Sequence, residues 1–502
     1  MNYLFLLEFF VTIYYFLGGA MGRQRILQKI ALILLLPVLT GCGASGVQSA
    51  VIGTPTLSIP ASGDKPSQIT IMVDGTLITQ ENGRDEFEAR WEALTGIDLV
   101  IIQPEHDVYY EEVTKVFETN DLPDVVLLNS TYYTEYAAQD LLADISPYYK
   151  GSGLESRITA AGNSALIDGI RIKGKLYGIT PTRGNGCVTY IKKAWLDNVG
   201  MSAPTNYDEY IKMLDAFTNG DPDGNGVKGD TYGVSAAGII NGEAPYTNYL
   251  PEFYQDAYPS FYQKDDGTWS DGFFEESMRN ALLRLKDAYS KGYIDKDIAE
   301  NGTGTCRDKF YANEFGVFTY WAGTWAKTLA NKLKEAEVDN ELVAIPPLAE
   351  TGSYLERVAP VWCITSTCKN PEGVFKYFLE TMLDDGDVET LWTFSPTSDS
   401  FAKNHIDHML ALVPLTNNPG AGSISEKQAE AANLFNTNSK MADLPYSTEA
   451  FSLYNEDLMA MKKELVKKVV IDGVDIDAAY AEIEASNGKY MSQAIVDSLN
   501  AE

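Results

Sequence analysis

Residues 221 to 230 read DPDGNGVKGD, and the oxygen-bearing side chains in that string are spaced to hold a hard cation. Asp221, Asp223 and Asn225 alternate, so they fall on one side of a loop, and Gly226 permits the turn that folds them inward. This is the opening of an EF-hand calcium loop, in which Val227 offers a main-chain carbonyl at the seventh place. The twelfth place, where a bidentate Glu is usual, holds Tyr232, which leaves Asp230 at the tenth as the remaining acidic donor. A structural Ca2+ on these five residues is expected, against the competing reading of an Asx-rich turn that holds no metal. His405 and His408, three apart in HIDH, have metal-ligand spacing only on a helix and lack a third ligand, so surface or satisfied histidines are expected. No HExxH, GxSxG or Gly-rich phosphate loop occurs in the chain.

Aromatic residues supply a second chemistry. With 7 Trp and 30 Tyr, the chain can offer flat rings to the axial C–H groups of a pyranose, with polar side chains at the rim for its hydroxyls. YWAGTW, residues 320 to 325, sets Tyr320, Trp321 and Trp325 close together. Arg183 and Asn185 can donate to hydroxyls or cap a turn.

The elements that must position such residues follow from periodicity. QITIMV reads as a strand, RDEFEARWEALTG as a helix with Phe87, Trp91 and Leu94 on one face, and IDLVIIQ as a second strand. DVYYEEVTKVFETN is a helix facing inward through Tyr109, Val113, Val116 and Phe117, and PDVVLLN is a strand apolar enough to be buried on both faces. Alternating strand and helix predicts a doubly wound α/β sheet, whose ligands bind beyond the carboxyl ends of the strands. That singles out Asp74 after the first strand and Asn129, Ser130 and Tyr132 after the third. A further strand, CVTYIKK, precedes a helix, NYDEYIKMLDAFTN. Beyond about residue 275 helices dominate, including EESMRNALLRLKDAYSKG and AFSLYNEDLMAMKKELVKKVV, and residues 416 to 445 read as a polar connection with a helix inside it.

At the other end, MGRQRILQKIALILLLPVLTGC from Met21 has a basic start, an apolar centre and a small-residue approach to Cys42, the layout of a secretory signal. Residues 1 to 20 are apolar without a basic start, and Met21 is read as the true start. Residues 43 to 67, rich in Gly, Ser, Ala, Thr and Pro, form a flexible tether. A formal net charge of −31 argues against nucleic acid and anionic membrane surfaces as partners. Cys187, Cys306, Cys363 and Cys368 are too sparse for a disulfide framework and are read as buried thiols, with one or two disulfides as the alternative.

Taken together, the small-residue stretch before Cys42, LPDVVLLNSTYYTEYAAQDLLADISPYY, GKLYGITP, TYIKKAWLDNVGM, DPDGNGVKGDTYG, FGVFTYWAGTW and NPEGVFKYFLETMLDDGD resemble, in order and spacing, the extracellular solute-binding proteins of bacterial ABC importers. Within that family the likeness is to the carbohydrate-binding group, maltose-binding-like and alginate-oligosaccharide-binding-like. The resemblance implies a two-lobed periplasmic-binding-protein-like α/β fold, each lobe a mainly parallel sheet flanked by helices. The chain would cross the hinge near Ile179 to Arg183, Asn313 to Phe318 and Thr365 to Thr367. Residues 1–41 would then be signal, 42–65 lipidated Cys42 and tether, 66–180 with 316–366 one lobe, and 181–315 with 367–502 the other. It further implies a membrane-anchored, non-enzymatic monomer that captures an oligosaccharide between its lobes and delivers it to ABC permease subunits, with Trp325, Trp321 and Trp362 as stacking platforms. Where relatives carry an aromatic pair before KKAW, this chain has Gly186, Cys187 and Val188, so the sugar itself stays open. Few cations stand at the strand ends, which favours a neutral or weakly charged glycan. A surface glycan-degrading enzyme, with carboxylates about 5 to 9.5 Å apart, and a receptor for a peptide or other polar solute are the alternatives.

Overall fold

The computed structural model describes residues 63–74, 84–105, 108–119, 121–180, 186–241, 244–339, 341–384, 386–393 and 426–501. Residues 1–41, Cys42, the tether up to residue 62, Arg183, Asn185, His405 and His408 therefore lie outside the described residues. Among those described, the strands form two principal sheets.

The first sheet has five strands in the order β2-β1-β3-β12-β4: Gln68–Met72 (β1), Asp98–Ile102 (β2), Val125–Leu128 (β3), Gly178–Ile179 (β4) and Val361–Ile364 (β12). β1 runs parallel to β2 (Ile71 opposite Ile101) and to β3 (Ile71 opposite Val125). β12 is the reversed strand and lies between β3 and β4, with Cys363 opposite Val126 and Trp362 opposite Ile179. The helices between these strands form where the pattern places them, at Arg84–Thr95 and Tyr109–Thr119, and bury Phe87 and Trp91 from one and Tyr109, Val113 and Phe117 from the other. Leu94, in the last turn of the helix, does not join them and is 45% exposed.

The second sheet has the order β10-β5-β9-β6: Cys187–Lys192 (β5), Tyr232–Val234 (β6), Phe315–Trp321 (β9) and Leu342–Ile345 (β10). β5 is its reversed strand, antiparallel to both β9 and β10, whereas β6 runs parallel to β9. The expected helices are found at Tyr207–Asn219, Glu276–Ser290 and Glu449–Val470, with Glu426–Asn438 inside the polar connection. Two short ladders complete the pairing: Phe261–Gln263 (β7) with Trp269–Asp271 (β8), and Tyr354–Glu356 (β11) alongside Ser439–Met441 (β13).

Each sheet carries its own apolar core, and core membership corrects the expected division of the chain. Residues 316 to 345 were expected with the first sheet, yet β9 and β10 both hydrogen-bond to β5. Tyr354 still belongs to the second core, and Val358 is the first residue back in the first. The chain therefore passes between cores at about Leu355 to Arg357, not near Asn313 to Phe318. Nor does it leave at Thr365 to Thr367, because Val374, Phe378, Leu383 and Trp392 remain in the first core. The physical reason is strand pairing across long sequence separation, which local periodicity does not encode.

Trp362 is corrected as well. It is 3% exposed and packs edge-on against Phe378 at 5.7 Å and Trp392 at 5.5 Å, so it is a core residue and not a stacking platform. Its strand is interior to the sheet and buried throughout. Trp362→Ala should destabilise the folded state by about 3–5 kcal/mol, the range for emptying a large aromatic site, read as a lowered urea midpoint; a loss under 1 kcal/mol would contradict the core assignment.

Candidate functional site

The structure gathers the sequence-selected residues into separate groups. At the carboxyl ends of β1 and β3, Asn129 caps the helix Ser130–Ala138, its Oδ1 accepting from the Tyr132 N–H at 3.1 Å. Its own N–H donates to the Tyr110 hydroxyl at 2.9 Å, and the Tyr110 and Tyr132 rings stack at 4.6 Å and 9°. Ser130 opens the helix, and Asp74 follows β1 close enough to the Tyr109 phenol to help burial hold it well above its usual range. The capping geometry is thus what turns Tyr132 onto Tyr110, a partner that the sequence pattern placed on the helix and not in the site.

A second group is built on β9. Trp321 is the last residue of β9, opposite Cys187, and its carbonyl accepts from the Tyr190 hydroxyl at 3.1 Å. Trp325, on the helix Thr324–Glu335, meets Tyr320 edge-on at 5.0 Å, Tyr320 stacks with Tyr249 at 5.9 Å, and Tyr249 meets Trp321 edge-on at 6.3 Å. Trp321 and Trp325 are both only half-buried. Arg357 stands over the Trp321 ring at 4.5 Å and Arg307 over the Trp325 ring at 5.0 Å. Tyr249 and both arginines were missed by sequence reasoning, because they reach β9 from three different segments.

Beside this cluster lies a cleft of about 460 Å³. One wall is the stretch from Thr247 to Asp265, including Tyr258 and Tyr262, and the other is the β11–β13 ladder through Leu355 and Lys440. The segment that reaches the cleft at Thr247 and Asn248 thus reaches the aromatic cluster at Tyr249. Gln255, on the cleft wall, is held at φ 57° and ψ −112°, backbone that costs free energy for a non-glycine residue and is retained only under strong constraint.

Beneath that wall sits a buried carboxyl. Glu252 is 2% exposed; its Oε1 accepts from the Thr189 hydroxyl, which also lies 2.9 Å from that of Thr319, while its Oε2 has no partner among the described residues. Burial pushes this carboxyl up to about 7.

The acidic loop forms a third group, apart from the others. Asp221 Oδ2 accepts from the Gly226 N–H at 3.1 Å, Asp223 Oδ1 from the Asn225 N–H at 3.3 Å, and Asn225 Nδ2 donates to Asp223 and Asp230 at 2.9 and 2.8 Å. Gly224, Gly226 and Gly229 all take positive φ to close the loop. Burial, with the charges of Asp230 and Asp221, holds the Asp223 carboxyl above its usual range. Asp221 Oδ1 is buried with no partner among the described residues. Crowded carboxylates and an orphaned oxygen fit a hard cation. Among the described residues no three His, Cys, Asp or Glu side chains form a ready metal cage, so a donor set here would depend on Asn225 and main-chain carbonyls such as that of Val227. The loop precedes β6, whose Tyr232 pairs with Phe315 at the start of β9. Trp321 ends the same strand six residues on, about 20 Å away at ~3.3 Å per residue. A cation there would brace the second sheet and would not reach Trp321.

Comparison with known proteins bears on the whole chain. Residues 78–389 match the family model described as bacterial extracellular solute-binding protein, and the chain belongs to that family. It is similar to lipoprotein LipO of Bacillus subtilis (strain 168), 25% identical over 321 residues covering 62% of this chain and 59% of LipO. It is also similar to the polygalacturonan/rhamnogalacturonan-binding protein YtcQ of the same organism, 23% identical over 304 residues covering 59% and 57%. The chain thus spans less than two thirds of either relative's own length. The fold matches an HMO-binding ABC-transporter-associated solute-binding protein from Bifidobacterium longum infantis with a TM-score of 0.63 at 15% identity, covering 87% of this chain and 98% of that one.

Since the folded chain holds the Glu252 proton up to about pH 7 and the unfolded chain releases it near 4.5, this group's stabilising contribution is full below 4.5 and is lost as pH rises through 7. Glu252→Gln should remove that downward slope, measured as urea unfolding free energies across pH 4.5 to 8; an unchanged profile would show that Glu252 does not titrate in this window.

Proposed function

We propose that this protein is an oligosaccharide receptor, which captures its ligand at the junction of the two cores and passes it to the permease of an ABC importer. The observation that carries this reading is the pair of half-buried tryptophans Trp321 and Trp325, resting on the buried rings of Tyr249 and Tyr320, beside a cleft of about 460 Å³ where the chain passes from one core to the other. Partly exposed tryptophan rings with a polar margin suit a pyranose better than they suit a charged small solute. The stacked pair Tyr110 and Tyr132, with Asp74, Asn129 and Ser130, supplies polar and aromatic groups of the same kind from the first sheet, and Arg183 and Asn185, outside the described residues, remain candidate donors to sugar hydroxyls. Membership in the solute-binding family and the glycan-binding names of YtcQ and of the Bifidobacterium protein support the same reading.

Capture needs no bond to break. The rings take up the apolar faces of the sugar, and polar side chains exchange water for sugar hydroxyls. A Ca2+ held by Asp221, Asp223, Asn225, Val227 and Asp230 would neutralise the crowded carboxylates and stiffen the loop, with no role at the sugar. Cys42, at the end of the signal segment, would carry the lipid that holds the protein at the outer face of the membrane. Among the described residues no helix is long and apolar enough to cross a membrane.

Two measurements test this. A panel of neutral and acidic oligosaccharides, with the protein's melting temperature as readout, should give a concentration-dependent rise with one class while the sugar stays intact; at a hundredfold excess over Kd the stabilisation is about 2.7 kcal/mol. Trp321→Ala or Trp325→Ala should weaken that ligand about tenfold or more. No rise with any sugar would move the reading to a peptide or other polar solute, and product formation would move it to an enzyme. Separately, chelation should lower the melting temperature and Ca2+ restore it, and Asp223→Asn should abolish the difference; equal melting with and without Ca2+ would assign the loop as an Asx turn.

A further inference from the structure

We propose that Asn248 reads a pair of neighbouring hydroxyls on the captured sugar and so sets which sugars the cleft accepts. This rests on the receptor reading above and adds to it a residue that discriminates among ligands. Thr247 to Leu250 form a turn, closed by the Leu250 N–H on the Thr247 carbonyl at 3.1 Å, with Asn248 and Tyr249 as its two central residues. Tyr249 turns to the aromatic group, where its ring meets Trp321 at 6.3 Å. Asn248 lines the cleft and is 5% exposed there.

The Asn248 side-chain amide has no hydrogen-bond partner among the described residues, yet neither of its polar atoms is sealed from solvent. The other buried polar side chains described on this cleft are engaged within the protein. The Tyr254 hydroxyl donates to the Ile239 carbonyl at 2.8 Å, the Tyr354 hydroxyl to the Ile345 carbonyl at 2.9 Å, and the Thr247 hydroxyl to the Pro245 carbonyl at 3.5 Å. Asn is common in turns because its side chain can bond the main chain nearby. No such bond holds Asn248, so turn chemistry does not account for the residue.

An amide largely removed from water and given no protein partner costs free energy. A ligand in the cleft offsets that cost. A carboxamide sets a carbonyl acceptor beside an NH2 donor, so one Asn accepts from one hydroxyl of a sugar ring and donates to its neighbour. The backbone on either side fixes the aim. Tyr246, directly before the turn, has φ 65°, and Gln255, just past the helical turn Pro251–Tyr254, has φ 57° and ψ −112°. Both are non-glycine residues in backbone that favours glycine, and such conformations persist where the surroundings over-determine them, characteristically at ligand sites. The stretch that carries Asn248 is thus held between two costly positions, which orients the amide before a ligand arrives and lowers the ordering cost of capture.

The test is calorimetric titration with trisaccharides of glucose, galactose, fructose and galacturonic acid, followed by the monodeoxy forms of whichever trisaccharide binds. Two forms that lack adjacent hydroxyls should each bind the unaltered protein at least about tenfold more weakly than the parent sugar. Asn248→Ala should weaken the parent by a similar factor and distinguish it from those two forms by less than about twofold, the non-additivity of partners in one contact. Asn248→Leu, similar in shape and apolar, should weaken the parent likewise without lowering the melting temperature of the free protein, a combination that a structural role for the amide would not give. Unchanged parent affinity in both variants, or deoxy penalties that persist in Asn248→Ala, overturns the assignment and leaves sugar capture standing. A lowered melting temperature for Asn248→Leu also overturns it, because the amide would then be serving the fold. If no trisaccharide binds protein shown to be folded, the receptor reading falls and this inference falls with it. The deoxy series uses the unaltered protein, so the absence of an adjacent pair of losses overturns the assignment even where a variant does not fold.

Discussion

The antiparallel ladder between β5 and β9 is the constraint on which the site depends. Its register sets Cys187 opposite Trp321 at one end and Ile191 opposite Val317 towards the other. The first pair brings the entry into the second body against the tryptophan that Arg357 covers. Midway, Thr189 faces Thr319 and both lie over Glu252, so a polar group is buried inside the sheet's packing. Beyond the far end, Lys192 is buried with its ammonium on the Phe310 carbonyl at 2.9 Å and the Asn313 amide oxygen at 2.8 Å, and burial lowers it to about 7. A one-residue slip would turn every inward side chain of β5 outward and separate Trp321 from the junction.

How much of this was legible follows from where the information lies. The strands and helices of the first sheet were readable because their apolar spacing is local, and Val125–Leu128 is buried on both faces as its composition requires. The division of the chain was not readable, because the partner of β9 lies more than a hundred residues away. Trp321 and Trp362 look alike in sequence, each following a short apolar run. Only sheet position separates them: one ends a strand at the junction, the other lies inside a strand flanked on both sides. Arg357 carried no local signal, since its relation to Trp321 depends on β11 lying beside β13 and on the return of β9 to β5.

Charge acts at two scales in this chain. A net charge of −31 repels anions at long range but is screened beyond about 8 Å at physiological ionic strength. What a ligand meets at short range is set by side chains within a few ångströms: two guanidinium groups stand on the two tryptophan rings, and the adjoining cleft sets Lys264 and Lys440 against Asp256, Asp265, Asp443 and Glu275.

The junction also limits how the two bodies can move. Gly186, the first described residue after the connection, has no room for a side chain: a Cβ there would lie 2.2 Å from the Phe435 ring and 2.8 Å from the Leu355 carbonyl. Leu355 belongs to β11, Phe435 to the helix Glu426–Asn438 that leads into β13, and the Ala442 N–H bonds the Glu356 carbonyl at 2.8 Å. The crossing segments are therefore packed against one another at backbone distance. Bending at such a place has to be taken up by rotations about a few main-chain bonds, since close-packed segments do not slide past one another freely. A ligand held at Trp321, as proposed, would touch a segment that borders this bend, and its occupancy would then be coupled to the angle between the bodies.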